Sequence, residues 1–186
     1  MKKILFRGIM LLTACTMLMV GCKKDNSQQQ EPDQPTQPTK AKLVSAVLEY
    51  SFEVNDDMRL AADFTVSYFD ANGQVQTEKL TSNSWSKTMN AALPAKLGVR
   101  VVAVQKEGFN PADYETMTML KSYSTTTYCL DENENKVGKE IGGVSSSLTL
   151  AGEKVPAYFE KYQDYFLQTL YSVDADGNKT NLDEWK

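Results

Sequence analysis

The chain has 186 residues, of which 41% are hydrophobic and 24% charged, with a formal net charge of -4 and no histidine. That length suits one domain with appendages, the hydrophobic share suits a packed core, and mild, scattered negative charge argues against a basic nucleic-acid-binding face. The lack of histidine removes Ser-His-Asp and Cys-His catalytic arrangements together with the commonest metal ligand. Of the three cysteines, only Cys129 falls in the body of the chain. No intramolecular disulfide is expected there, so the domain must rely on its core.

The amino terminus has the three-part form of an export signal. Lys2, Lys3 and Arg7 supply positive charge, and residues 9–20 form an uncharged, mostly apolar run. The run is too short for a stable membrane-spanning helix, which needs ~20 residues, and suits a signal-peptide core. Gly21 and Cys22 follow it. The stretch Met19-Val20-Gly21-Cys22 resembles the lipobox of bacterial lipoproteins, with Met where Leu is commoner. That resemblance implies cleavage before Cys22, attachment of diacylglycerol to its thiol and acylation of the new amino terminus. Leu12-Thr13-Ala14-Cys15 fits the usual pattern better, residue for residue, but cleavage there would leave the apolar stub TMLMVG exposed and shorten the signal core to about half. Cys22 is therefore the expected lipidation site. Several acyl chains on one residue hold a protein at a membrane far more firmly than a single chain. The residues after the cysteine, CKKDN, lack Asp directly behind it. They look like the charged stretch of Bacteroidota-type outer-membrane lipoproteins, which implies an outer-membrane location with the cell exterior as a candidate side.

Residues 23–40 contain Gln, Pro, Asp and Thr and no large apolar side chain, with Pro32, Pro35 and Pro38 recurring every third position. Such a segment buries too little to offset its ordering entropy and favours extended conformations, as a polar spacer does. The expected organisation is a signal peptide over 1–21, an acylated cysteine and tether over 22–40, and a folded domain over 41–186.

From residue 42 the pattern changes to period two. Ala46, Leu48, Tyr50, Phe52 and Val54 alternate with polar or small residues, as do Leu60, Ala62, Phe64, Val66 and Tyr68. Both read as antiparallel strands with one face buried. Further strands are expected over 74–81, 84–89, 97–106, 116–130, 137–141, 144–150 and 166–173. One short helix is expected over 155–162, with Pro156 in its first turn. The expected fold class is all-β with one short helix: an antiparallel β-sandwich, immunoglobulin-like, with a closed lipocalin-like barrel as the alternative.

Three segments share the form apolar-Asp-x-(Asn/Asp)-(Gly/Glu)-(Gln/Asn): FDANGQV from Phe69, LDENENKV from Leu130 and VDADGNKT from Val173. Asp174, Asp176 and Asn178 match the first positions of a calcium loop, but Lys179 stands where Gly is required and Trp185 where the bidentate Glu belongs. Hairpin turns are the expected reading, and no metal or other cofactor is expected. Tyr158 and Trp185 are the candidate ligand-binding residues, because exposed aromatic rings stack on sugar faces. Yet Val155, Tyr158, Phe159 and Tyr162 also have the helical spacing of a buried stripe. Glu49 and Glu53 share a strand face that Asp63 could oppose, the only arrangement approaching a paired-carboxylate site. Cys129 has no base to activate it and reads as a small core residue.

The expected function is a non-catalytic binding or interaction module, lipid-anchored in the cell envelope, with a glycan or an envelope protein as partner and the membrane engaged through Cys22. A structural fimbria-like surface component is the alternative, and a carbohydrate-active enzyme the third reading.

Overall fold

The computed structural model describes residues 41–185. The readings for the signal, Cys15, Cys22 and the tether concern residues outside that range. In chain order the elements are β1 (Leu43–Val54), α1 (Asp56–Ala61), β2 (Ala62–Phe69), β3 (Val75–Lys79), β4 (Ser84–Ala92), β5 (Ala95–Gln105), β6 (Thr116–Asp131), β7 (Lys136–Ala151), α2 (Val155–Glu160), β8 (Leu167–Val173) and β9 (Lys179–Asn181). Short 3-10 turns cover Pro111–Asp113 and Gly152–Lys154. The strands form two antiparallel sheets, a four-stranded one in the order β4-β1-β6-β7 and a five-stranded one in the order β3-β2-β5-β8-β9. No ladder joins the two among the described residues, so the molecule is a sandwich and the closed-barrel alternative is excluded.

The alternation read from the sequence supplies the inner faces. Leu48, Tyr50, Phe52 and Val54 of β1 meet Phe64 and Val66 of β2 and Leu97, Val99 and Val101 of β5, all buried, with Met117 and Met119 of β6 beside them. Phe166 meets Phe52 and Phe64 edge to face, as Phe159 meets Phe64, while Phe52 and Phe64 are tilted on each other, with ring centroids 5.7 to 6.4 Å apart, an arrangement that adds to their area burial.

Three local features differ from the period-two expectation, and a fourth agrees with the sequence. The second strand starts at Ala62 because residues 56–61 form α1, capped by the Asn55 side chain accepting from the Met58 amide and led by Asp56 and Asp57. The two strands expected over 137–141 and 144–150 are one strand, β7, running through Gly142 and Gly143. β9 is wholly polar and exposed, so no hydrophobic alternation announced it. The expected helix is present as α2, ending at Glu160.

The three repeated segments are three copies of one turn. Asp70, Asp131 and Asp174 each use Oδ1 to accept from the backbone amides two and four residues on. Each uses Oδ2 to accept a side-chain amide, from Gln76, Asn135 and Asn178 respectively. These hydrogen bonds hold all three carboxyls below the ordinary aspartate range. The fourth residue of each turn has positive φ: Gly73 at 72°, Glu134 at 62° and Gly177 at 84°. A side chain in that region costs energy that glycine avoids. The carboxylates are thus occupied in shaping the turns, as the hairpin reading expects.

Two turns carry glycine where the third carries Glu134, so Glu134→Gly should stabilise the domain by about 0.5–1 kcal/mol, read as a higher denaturation midpoint at unchanged slope. A loss of stability would mean that the Glu134 side chain makes a contact that outweighs its backbone strain.

Candidate functional site

The two open sides of the sandwich are finished differently. On one side, Glu78 of β3 reaches across to the other sheet. Its carboxylate accepts from Lys87 Nζ at 2.6 Å, Trp85 Nε1 at 2.8 Å and the Tyr68 hydroxyl at 2.7 Å. The Lys87 bond leads these contacts in holding the Glu78 carboxyl down at about 2. Lys87 also lies 3.9 Å over the Tyr68 ring, and Trp85 packs against Tyr50 and Tyr68. The edges β3 and β4 are thereby tied together.

The opposite side has no such closure. β7 pairs with β6 along nearly its whole length, from Lys136 opposite Leu130 to Ala151 opposite Thr116. The facing strand β9 spans only Lys179–Asn181, and an ion pair between Lys179 and Glu140 links it to β7. β7 consequently overhangs the second sheet. Register assigns its faces: Leu150, Leu148, Ser146, Val144 and Gly142 stand beside the inward residues Met117, Met119, Lys121, Tyr123 and Thr125 of β6. Residues so placed on a central strand would be buried. Here Val144 and Leu148 are each 50% exposed, and Ile141 on the outer face is 73% exposed. Apolar side chains on both faces of a long edge strand form the most conspicuous exposed apolar feature among the described residues.

Two glycine devices shape β7. Near its start, Gly138 has φ 68° and the register slips between Thr127 and Cys129, a bulge that twists this end of the edge. At Gly143, a Cβ would lie 2.6 Å from the Tyr123 carbonyl oxygen, so β6 approaches too closely for any side chain. Gly143 therefore keeps the ribbon continuous where the sequence suggests a break.

A cavity of about 140 Å³ lies at the bulged end of this open side, lined by Leu43, Val47, Leu97, Val137 and Tyr171, with Lys179 and Glu140 at its rim. The Tyr171 hydroxyl is buried beside Thr127, Glu140 and Cys129, yet forms no hydrogen bond of ordinary geometry. Burial holds it protonated well above the usual tyrosine range. Cys129 is buried and unbridged at the same wall, its thiol pushed up by burial and by Asp174. It is a small core residue there, as the sequence implied.

The candidate residues lie elsewhere and apart. Tyr158, on α2, is half-buried and packs edge to face against Phe159, Tyr162 and Phe166, with its hydroxyl pushed up to about 12 by burial and the neighbouring Tyr162. Trp185 stacks on Phe69 of β2 at 4.7 Å and 21°, where the terminal segment returns over the outer face of the five-stranded sheet. Both rings are engaged within their own chain. Glu49 and Glu53 share the outer face of β1, four residues or about 13 Å of strand apart, beyond the reach of a glycosidase pair. Glu49 is occupied by the Tyr128 hydroxyl at 2.9 Å and by Lys136 at 3.7 Å. Asp63 belongs to the other sheet, beside Lys106, and does not oppose them.

The outer face of the four-stranded sheet is lined with hydroxyls. Ser51, Ser86, Thr88, Ser122, Ser124 and Thr126 occupy neighbouring outward positions, with Ser51 and Ser124 hydrogen-bonded at 2.7 Å. Polar side chains thus cover the central strands, in contrast to the apolar edge at β7. Comparison with protein-family models, with curated proteins and with solved structures gives no match.

Proposed function

We propose that the protein is a non-catalytic interaction module of the bacterial cell envelope, held at the outer membrane by acyl chains on Cys22, that binds a protein partner by strand addition along β7. The observation that carries this reading is the exposed edge: β7 offers a row of unpaired backbone groups flanked by Ile141, Val144 and Leu148. An incoming strand would gain main-chain hydrogen bonds from the edge, and specificity from side chains meeting those residues. The internal engagement of Tyr158 and Trp185 turns the choice between glycan and protein towards protein. The lipid anchor rests on the lipobox resemblance at Met19-Val20-Gly21-Cys22.

Metabolic labelling with a fatty-acid analogue tests the anchor. Label should enter the wild-type chain and be lost in Cys22→Ser, whereas retained label in that variant would move the site to Cys15. A photoreactive amino acid at Ile141, in the full chain expressed in cells, tests the edge. It should give a discrete protein adduct that weakens several-fold when Val144 and Leu148 are both changed to Lys, while the same probe at Thr65 gives none. No adduct from β7, or one indifferent to the lysine changes, would overturn the edge as the binding surface.

A further inference from the structure

We infer that the strand added at β7 is β7 of a second copy of this chain, paired antiparallel about a two-fold axis at Ser146. This rests on the reading of β7 as an interaction edge and names its occupant.

The regular part of β7 is self-complementary. The bulge at Gly138 and the charges of Lys136, Lys139 and Glu140 are confined to its first residues, and the next charge is Glu153, beyond the end of the strand. Residues 141–151 between these limits carry no charge. Two such stretches overlap fully in antiparallel sense only when each Ser146 lies opposite the other. A second, independent property selects the same register. It sets each Val144 opposite Leu148 of the second copy, so the half-exposed apolar side chains of the inner face meet each other on both sides of the axis. Directly opposed apolar side chains are the stabilising unit of an antiparallel pair. Sliding by two residues in either direction sets Leu148 against Gly142 or Ser146 instead. Sliding by one turns the inner face of one copy against the outer face of the other and sets Val144 against Ser147 or Thr149.

Charge agrees with this arrangement. The symmetric register brings exposed Lys139 of one copy level with exposed Glu153 of the other and places no like charges opposite within the paired stretch. The remaining edges suit a second copy less. β3 and β9 are short, and β4 carries Lys87 and Trp85, which are committed to Glu78. Because the axis runs perpendicular to the sheet, pairing would double the four-stranded sheet and place both hydroxyl-lined faces on one side.

Cysteines introduced one at a time at positions 144 to 148 test the register, in the full chain carrying Cys15→Ser and Cys22→Ser, with buried Cys129 retained throughout, and under mild oxidation. Disulfide-linked dimer should peak at Ser146→Cys, several-fold above its neighbours and above Ser82→Cys as a surface control. Adding Val144→Lys should abolish the peak without unfolding the chain, which circular dichroism checks. A peak elsewhere, a flat profile, or dimer unaffected by Val144→Lys overturns the proposal. A photo-adduct from Ile141 to a different protein, with no cross-linking at 146, overturns the second copy while leaving β7 as an interaction edge. An adduct from Ile141 to residues 1–40 of the same chain overturns both.

Discussion

Every β-sheet that does not close on itself ends in two rows of backbone amides and carbonyls that no neighbour satisfies, and the organisation of this sandwich follows from how its four edges meet that constraint. β3 and β9 limit the problem by being short. β4 is bound to the opposite sheet through Trp85, Lys87 and Glu78, which closes one side of the molecule. β7 is the longest edge and has the least cover, and its devices for avoiding association are concentrated in its first residues. Past Glu140 it is a regular, uncharged strand with apolar side chains on both faces. The interaction surface and the proposed symmetry both descend from that asymmetry.

The turns show how the same chain sets register locally. One carboxylate per turn collects amides that a tight reversal would otherwise leave unpaired, and the positive-φ residue completes the reversal. These turns define where β2, β6 and β8 end and where their partners begin. In the β6–β7 hairpin the turn is followed at once by the Gly138 bulge, so the irregular part of β7 coincides with its charged segment and the register is regular beyond it. Local turn chemistry therefore places the free part of the edge.

Much of this fold was legible in the sequence because alternation reports a half-buried strand wherever the sheet lies. The inner residues of β1 and β2 occupy the core positions that their period-two pattern implied. The repeated Asp turns were legible too, since the oxygen-rich side chains that suggested calcium are those that cap a reversal. The edge was not legible. Val144, Leu148 and Leu150 alternate with hydroxyl residues just as a buried strand does, and nothing in that pattern says that β7 lies beyond the reach of the facing sheet. Gly142-Gly143 reads as a break until the close approach of the Tyr123 carbonyl shows why a continuous strand needs glycine there. Tyr158 and Trp185 suggest ligand contact through their ring chemistry, but their neighbours Tyr162, Phe166 and Phe69 are brought up by tertiary packing that spacing alone does not specify.

Residue-resolved amide hydrogen exchange along 141–151 tests the central claim most directly. Amides of an edge strand point alternately towards the paired neighbour and away from it. In dilute protein the amides facing β6 should exchange slowly and the intervening ones rapidly, and raising the protein concentration should bring protection to the rapid set alone. Protection of every amide at all dilutions would mean that the edge is already covered, and rapid exchange of the outward set at every concentration would mean that β7 does not pair with a second copy.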